Sequence, residues 1–180
     1  MTLLLKSDLR ETFLSKRKSL KLANKDICFI LANAEKIINQ HNPQKIAAYT
    51  KSGSELDLTS LIQSLEEKGH EILLPVCNRK TMSFYNKENV QGNGFKAKAI
   101  DTANSQIPDI AIIPSITCDR LGNRIGYGQG FYDKYLSAHK SIITLSLVPE
   151  ELICKNDFAV EKHDVHVNYI VSQKLTYSNF

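Results

Sequence analysis

The stretch Pro114-Ser-Ile-Thr-Cys-Asp-Arg-Leu-Gly-Asn-Arg124-Ile-Gly-Tyr-Gly-Gln-Gly-Phe-Tyr-Asp133 runs from the end of an Ile-rich strand, read over Asp109 to Pro114, into a helix read over Gly130 to Ala138. It holds four of the chain's eight glycines within nine residues: Gly122, Gly126, Gly128 and Gly130. A strand, a Gly-rich loop and a helix N-terminus bring free backbone N–H groups and the positive helix end onto an anion. Arg124 adds a full positive charge. The spacing Gly-x-Gly-x-Gly is neither the dinucleotide fingerprint nor a Walker loop, since no Gly-Lys-Ser/Thr follows. On the glycines alone a phosphate cradle and a flexible surface loop stand level; Arg124 and Asp133 on either flank tip the reading toward phosphate. Asp133 suits magnesium, which prefers oxygen ligands, and equally suits the first turn of a helix, where the dipole favours a carboxylate.

Outward from this segment, strands and helices alternate. Leu5, Leu9 and Phe13 recur at four-residue steps and predict a helix over residues 6–19, with Lys6 and Arg10 on one face. Ile27, Ile30, Leu31, Ala34, Ile37 and Ile38 predict a second helix, capped by Asn24 and stopped at His41-Asn42-Pro43. Lys45 to Thr50 reads as a strand, Ser52-Gly53-Ser54 as a tight loop, and Asp57 as the cap of a third helix that Gly69 ends. Further strands are expected at Glu71 to Val76, Met82 to Tyr85, Ile142 to Val148 and Asn168 to Val171, the last followed by a polar tail. Asn86 to Gln106 lacks a period and reads as loop with at most a short hairpin. The alternation predicts one three-layer α/β/α domain over residues 1–180, with a largely parallel, Rossmann-like sheet. No internal repeat is present.

Composition agrees with a single globular domain: 180 residues, 42% apolar and 23% charged. No apolar run approaches the roughly 20 residues of a membrane-spanning helix, and the N-terminus lacks a signal-peptide core, so a cytoplasmic protein is expected. Cys28, Cys77, Cys118 and Cys154 are too scattered for a zinc ribbon or redox pair and read as reduced, mostly buried apolar residues. The net charge is +4, but residues 1–25 alone carry seven basic and two acidic side chains. Such a segment can bind phosphate in a nucleotide, a lipid or a nucleic acid, or be a solvated helix face.

Asp119 to Asp133 resembles the signature of the 5-formyltetrahydrofolate cyclo-ligase family, also called 5,10-methenyltetrahydrofolate synthetases. Lys6-Ser-Asp-Leu-Arg10, Ser52-Gly-Ser-Glu55, Leu74-Pro75 with Met82, and Glu161-Lys-His-Asp164 agree in order along nearly the whole chain. The resemblance implies ATP and magnesium as cofactors and 5-formyltetrahydrofolate, with or without a polyglutamate tail, as substrate. It assigns ATP contacts to Lys6, Ser7, Asp8, Leu9 and Arg10, and to Arg124, Ile125, Gly126, Tyr127, Gly128, Gln129, Gly130, Phe131 and Tyr132. Substrate contacts fall to Arg10, Thr50, Glu55, Tyr127, Gly128, Gln129, Gly130 and Phe131, the carboxylate of Glu55 matching the donor-rich pterin edge. Asp133 and Asp164 match magnesium ligands, and Lys6, Arg10 and Arg124 carry the charge that phosphoryl transfer needs.

His163 and His166 lack a third ligand and a Cys partner for zinc and are read as structural. Lys96 and Lys98 can reach a polyglutamate tail but read more simply as a solvated pair. The chain departs from the family over Gly94 to Asp101 and again at Leu147 to Glu151. The departure leaves room for an ATP-dependent enzyme of the same fold acting on another small substrate. An RNA-binding module is disfavoured, because no basic and aromatic interleaving appears, so neither a nucleic acid nor a membrane is an expected partner. A monomer is expected.

Overall fold

The computed structural model describes residues 5–155, 158–161 and 163–180, apart from the Phe95 side chain. Lys162 of the Glu161-to-Asp164 segment lies outside the described residues. In chain order the elements are α1 (Lys6–Ser19), α2 (Asn24–His41), β1 (Lys45–Ala47), α3 (Thr59–Glu67), β2 (Glu71–Cys77), β3 (Met82–Asn86), β4 (Val90–Gln91) and β5 (Lys98–Ala99). Then come β6 (Ile110–Ile112), β7 (Thr117–Cys118), β8 (Arg124–Ile125), α4 (Phe131–Ala138), β9 (Ile143–Leu147), β10 (Tyr169–Val171) and β11 (Thr176–Ser178).

The main sheet runs β11-β10-β9-β6-β1-β2-β3. Its five inner strands are parallel, and each edge strand pairs antiparallel with its neighbour. Parallel strands covered by helices on both faces are apolar at every position, and successive residues divide between the two faces. Ile46 and Ala48 join one core with α2 and α3, while Ala47 faces the other. Ile110 and Ile112 likewise face α2 and α3, whereas Ala111 and Ile113 pack with Leu136 of α4. The expected three layers are thereby formed.

Four expectations change in detail. Asn24 is the first residue of α2 rather than its cap, and the preceding Ala23 makes no side-chain cap bond. Leu5 is exposed, and α1 docks through Leu9 and Phe13 instead. The polar tail forms β11, whose backbone completes the ladder of β10. Of the cysteines only Cys118 and Cys154 are buried; Cys28 is exposed and Cys77 half-buried. Asp57 does close the start of α3, accepting from the Thr59 N–H at 2.9 Å and its hydroxyl at 2.6 Å. Residues 86–106 contain two single 3₁₀ turns and the β4–β5 hairpin. Among the described residues no helix is long and apolar enough to cross a membrane.

Candidate active site

Three parallel strands end at one place. β1 delivers Tyr49 and Thr50, β2 delivers Pro75 and Cys77, and β6 delivers Pro114, all onto a cavity of about 300 Å³. Beyond Pro114 the chain makes the β7–β8 hairpin and then the glycine loop, which leads into α4. The strand, loop and helix read from the sequence therefore form one wall, with the hairpin inserted between strand and loop.

The opposite wall comes from the N-terminus. Leu9 is buried against Ile125, Cys154 and Phe158 and fixes the roll of α1. That roll turns Lys6 and Arg10 into the cavity and leaves Ser7 and Asp8 exposed, hydrogen-bonded to each other at 2.9 Å. Arg10 donates from Nε to the Gly126 carbonyl at 2.9 Å, which ties helix to loop. Lys6 forms an ion pair with Asp164. Of the residues assigned to ATP, Ser7, Asp8 and Leu9 thus lie off the cavity lining, whereas Lys6, Arg10 and every residue from Arg124 to Tyr132 lie on it.

Arg124 is the best-held cation. Its Nη1 donates to the Pro114 carbonyl at 3.0 Å, its Nη2 to Asp133 Oδ2 at 3.0 Å, and its guanidinium carbon lies 5.9 Å from the Tyr132 ring centroid. Its side chain is only 6% exposed, and the buried Nε has no partner among the described residues. Gly126 makes this packing possible: a Cβ there would come within 2.6 Å of Nη1. Asp133 also accepts the Val165 N–H at 3.4 Å, so α4 and the segment carrying Asp164 meet at this carboxylate.

Glu55 and three phenols line the same cavity. Glu55 is 8% exposed and folds back to accept the Ser52 N–H at 2.8 Å, while its own N–H donates to the Ser52 carbonyl at 3.2 Å. Burial pushes the phenols of Tyr49, Tyr127 and Tyr132 well up, and the Glu55 charge adds to the effect on each, so all three remain neutral hydroxyls. Thr50 Oγ1 accepts the Gly94 N–H at 3.3 Å, and Gly94 lines the cavity, which is where the divergent loop reaches the site. Lys96 and Lys98 are exposed and do not line it.

Ligand atoms of Glu161, His163 and Asp164 lie within 4.8 Å of one another. His163 is exposed at the cavity rim, 3.0 Å from Glu161, and His166 is exposed as well, its Nδ1 3.4 Å from the Leu121 carbonyl oxygen. Burial would raise the Asp164 pKa, but the Lys6 hydrogen bond, the Glu161 N–H and the charges of Lys6 and His163 outweigh it and hold the carboxyl below its usual range. The carboxylates of Asp133, Asp164 and Glu161 on one cavity are the oxygen donors a hard divalent cation takes. Glu161 and His163 line the cavity too, although from the Glu161-to-Asp164 segment the sequence reading carried only Asp164 to the site.

A cavity lined by cations, carboxylates and phenols at the carboxyl ends of parallel strands defines the class: an α/β enzyme that works on small ligands where its strands end. A sequence model of the 5-formyltetrahydrofolate cyclo-ligase family matches residues 5–173, and the chain belongs to that family. It is 26% identical to the 5-formyltetrahydrofolate cyclo-ligase of Mycolicibacterium smegmatis, over 94% of this chain and 94% of that protein. The fold is shared with the 5,10-methenyltetrahydrofolate synthetase of Mycoplasma pneumoniae (TM-score 0.77, 20% identity, 93% of this chain and 98% of that one). It is shared also with the synthetase of Aquifex aeolicus (TM-score 0.78, 22% identity, 97% and 93%).

Proposed function

We propose that the chain, acting as one cytoplasmic monomeric unit, converts 5-formyltetrahydrofolate and ATP to 5,10-methenyltetrahydrofolate, ADP and phosphate, with magnesium. The formyl oxygen is a poor leaving group. It attacks the γ-phosphorus, ADP departs, and the oxygen becomes part of a phosphate ester. N10 then bonds to the formyl carbon and gives up its proton, and phosphate leaves with the former formyl oxygen.

Phosphoryl transfer asks the protein for position and charge rather than covalent chemistry. In this reading Lys6, Arg10 and Arg124 neutralise the triphosphate, and the N–H groups of the 126–130 loop hold its oxygens. Glu55 accepts hydrogen bonds from the pterin, and the neutral phenols of Tyr49 and Tyr127 bound that end. Asp133 and Asp164, with Glu161 adjacent, are the residues that would hold magnesium, which when bound would neutralise phosphate charge. The observation that supports the reading is that Lys6, Arg10 and Arg124 line the same cavity as Glu55.

The test is the near-ultraviolet absorbance of purified protein with 5-formyltetrahydrofolate, ATP and magnesium. A methenyl band that grows only in the complete mixture is expected. ATP binding without that band would mean a different small substrate.

A further inference from the structure

Arg17 stands outside the cavity lining, yet it is buried to 5% exposure in the last turn of α1. Burying a guanidinium is costly unless its protons are taken up. Arg17 spends them on two backbone carbonyls: Nε donates to Ser54 at 3.2 Å and Nη1 to Ser115. Ser54 immediately precedes Glu55, and Ser115 immediately follows Pro114, whose carbonyl holds Arg124. The Arg17 charge also acts on the phenols of Tyr49 and Tyr127, opposing the effect of Glu55 on both.

We infer that Arg17 is a positioning residue that locks the Ser52–Glu55 turn to the end of β6 and so sets the Glu55 carboxylate for the substrate's heteroaromatic end. This rests on the function proposed above for the site. The nucleotide side does not depend on Arg17 in the same way. Lys6, Arg10 and Arg124 each have their own anchor, in Asp164, the Gly126 carbonyl, and Pro114 with Asp133. The turn carrying Glu55 is exposed from Lys51 to Ser54; Arg17 and the Ser52–Glu55 pair hold its backbone, and the Tyr127 hydroxyl hydrogen-bonds the Glu55 carboxylate.

The experiment compares wild type, Arg17→Lys, Arg17→Met and Glu55→Gln, each checked for folding by thermal unfolding. Binding of 5-formyltetrahydrofolate and of ATP is then measured separately by calorimetry. Lysine keeps the charge but cannot span two carbonyls, so Arg17→Lys should weaken folate binding about tenfold and leave ATP binding within about twofold, with Arg17→Met lower still. Adding Arg17→Lys to Glu55→Gln should cause little further loss, because both act through one carboxylate. Equal weakening of both ligands, full additivity, or unchanged folate binding in Arg17→Lys would overturn the inference.

Hydrogen exchange tests the same role with no ligand bound. Arg17→Lys should speed exchange at Ser52 to Glu55 and spare residues 126–130, and unchanged exchange at 52–55 would sink the proposal. If wild type itself fails to bind the folate, the proposed function falls and the exchange result still decides the role of Arg17.

Discussion

Arg124 and Asp133 form a 3.0 Å ion pair across the glycine loop, and the same aspartate accepts the Val165 N–H. Asp133 therefore ties the loop's cation to the segment carrying Asp164, and in the proposed function it also holds magnesium. Asp133→Asn keeps an oxygen for Arg124 but loses the charge. It should lower turnover by about 100-fold or more while costing only about 1–2 kcal/mol of stability, since the site is partly solvated. Steady-state kinetics beside urea unfolding measures both; comparable losses in the two would deny the metal role.

The Lys6–Asp164 pair predicts an acid-sensitive contribution. The folded carboxyl has a lowered pKa, so its stabilisation is present above the usual aspartate range and is lost as pH falls through the lower folded-state value. Glu35 and Asp57 are lowered as well, Glu35 chiefly by Lys68 and Asp57 by Thr59, so wild type alone cannot isolate Asp164. Denaturant titrations from about pH 6 to about pH 3 should show a shallower acid limb in Asp164→Asn than in wild type. Parallel limbs would mean that the ion pair contributes nothing to folding.

Two glycines should fail differently. Gly122 has φ +88°, and a Cβ there would lie 2.7 Å from the Val167 carbonyl, a backbone atom that cannot swing away. Gly122→Ala should cost about 2 kcal/mol or more and be seen in thermal unfolding. At Gly126 the Cβ meets the Arg124 guanidinium, so Gly126→Ala should chiefly weaken ATP binding by pushing that cation off Pro114 and Asp133. Calorimetry showing normal ATP affinity in folded Gly126→Ala would remove Arg124 from the nucleotide site.

Leu9 separates contact from support. It packs with Ile125, Cys154 and Phe158 behind the cavity, so Leu9→Ala should lower stability by about 2–3 kcal/mol. Ser7→Ala, on the exposed face of α1, should leave both stability and ATP affinity within error. A strong ATP defect in folded Ser7→Ala would show that the helix N-terminus reaches further into the site than its present roll allows.

Most of the sheet was legible because strands buried on both faces cannot hide: Ile110 to Ile113 is apolar throughout, and so is Ile46 to Ala48. The edge strand β11 was not, since Thr176-Tyr-Ser is held by backbone hydrogen bonds to β10 that any sequence can make. The glycine loop with Arg124 was readable from local spacing alone. Arg17 was not, because a basic residue near the end of a basic helix looks solvated until Ser54 and Ser115 are brought against it. Glu161 and His163 stand in a segment the sequence did mark, but only the fold brings their side chains onto the cavity.

Local pattern settled the order of the main strands and helices and marked out the glycine loop, because burial periodicity and glycine spacing act between near neighbours in the chain. Bringing Lys6 to Asp164 and Arg10 to Gly126 spans 158 and 116 residues, and no local rule carries that information. Those pairings depend on how Leu9 seats α1 against the loop and on which strand ends meet. Packing of side chains distant in sequence decided which of the charged residues became a site and which stayed in solvent.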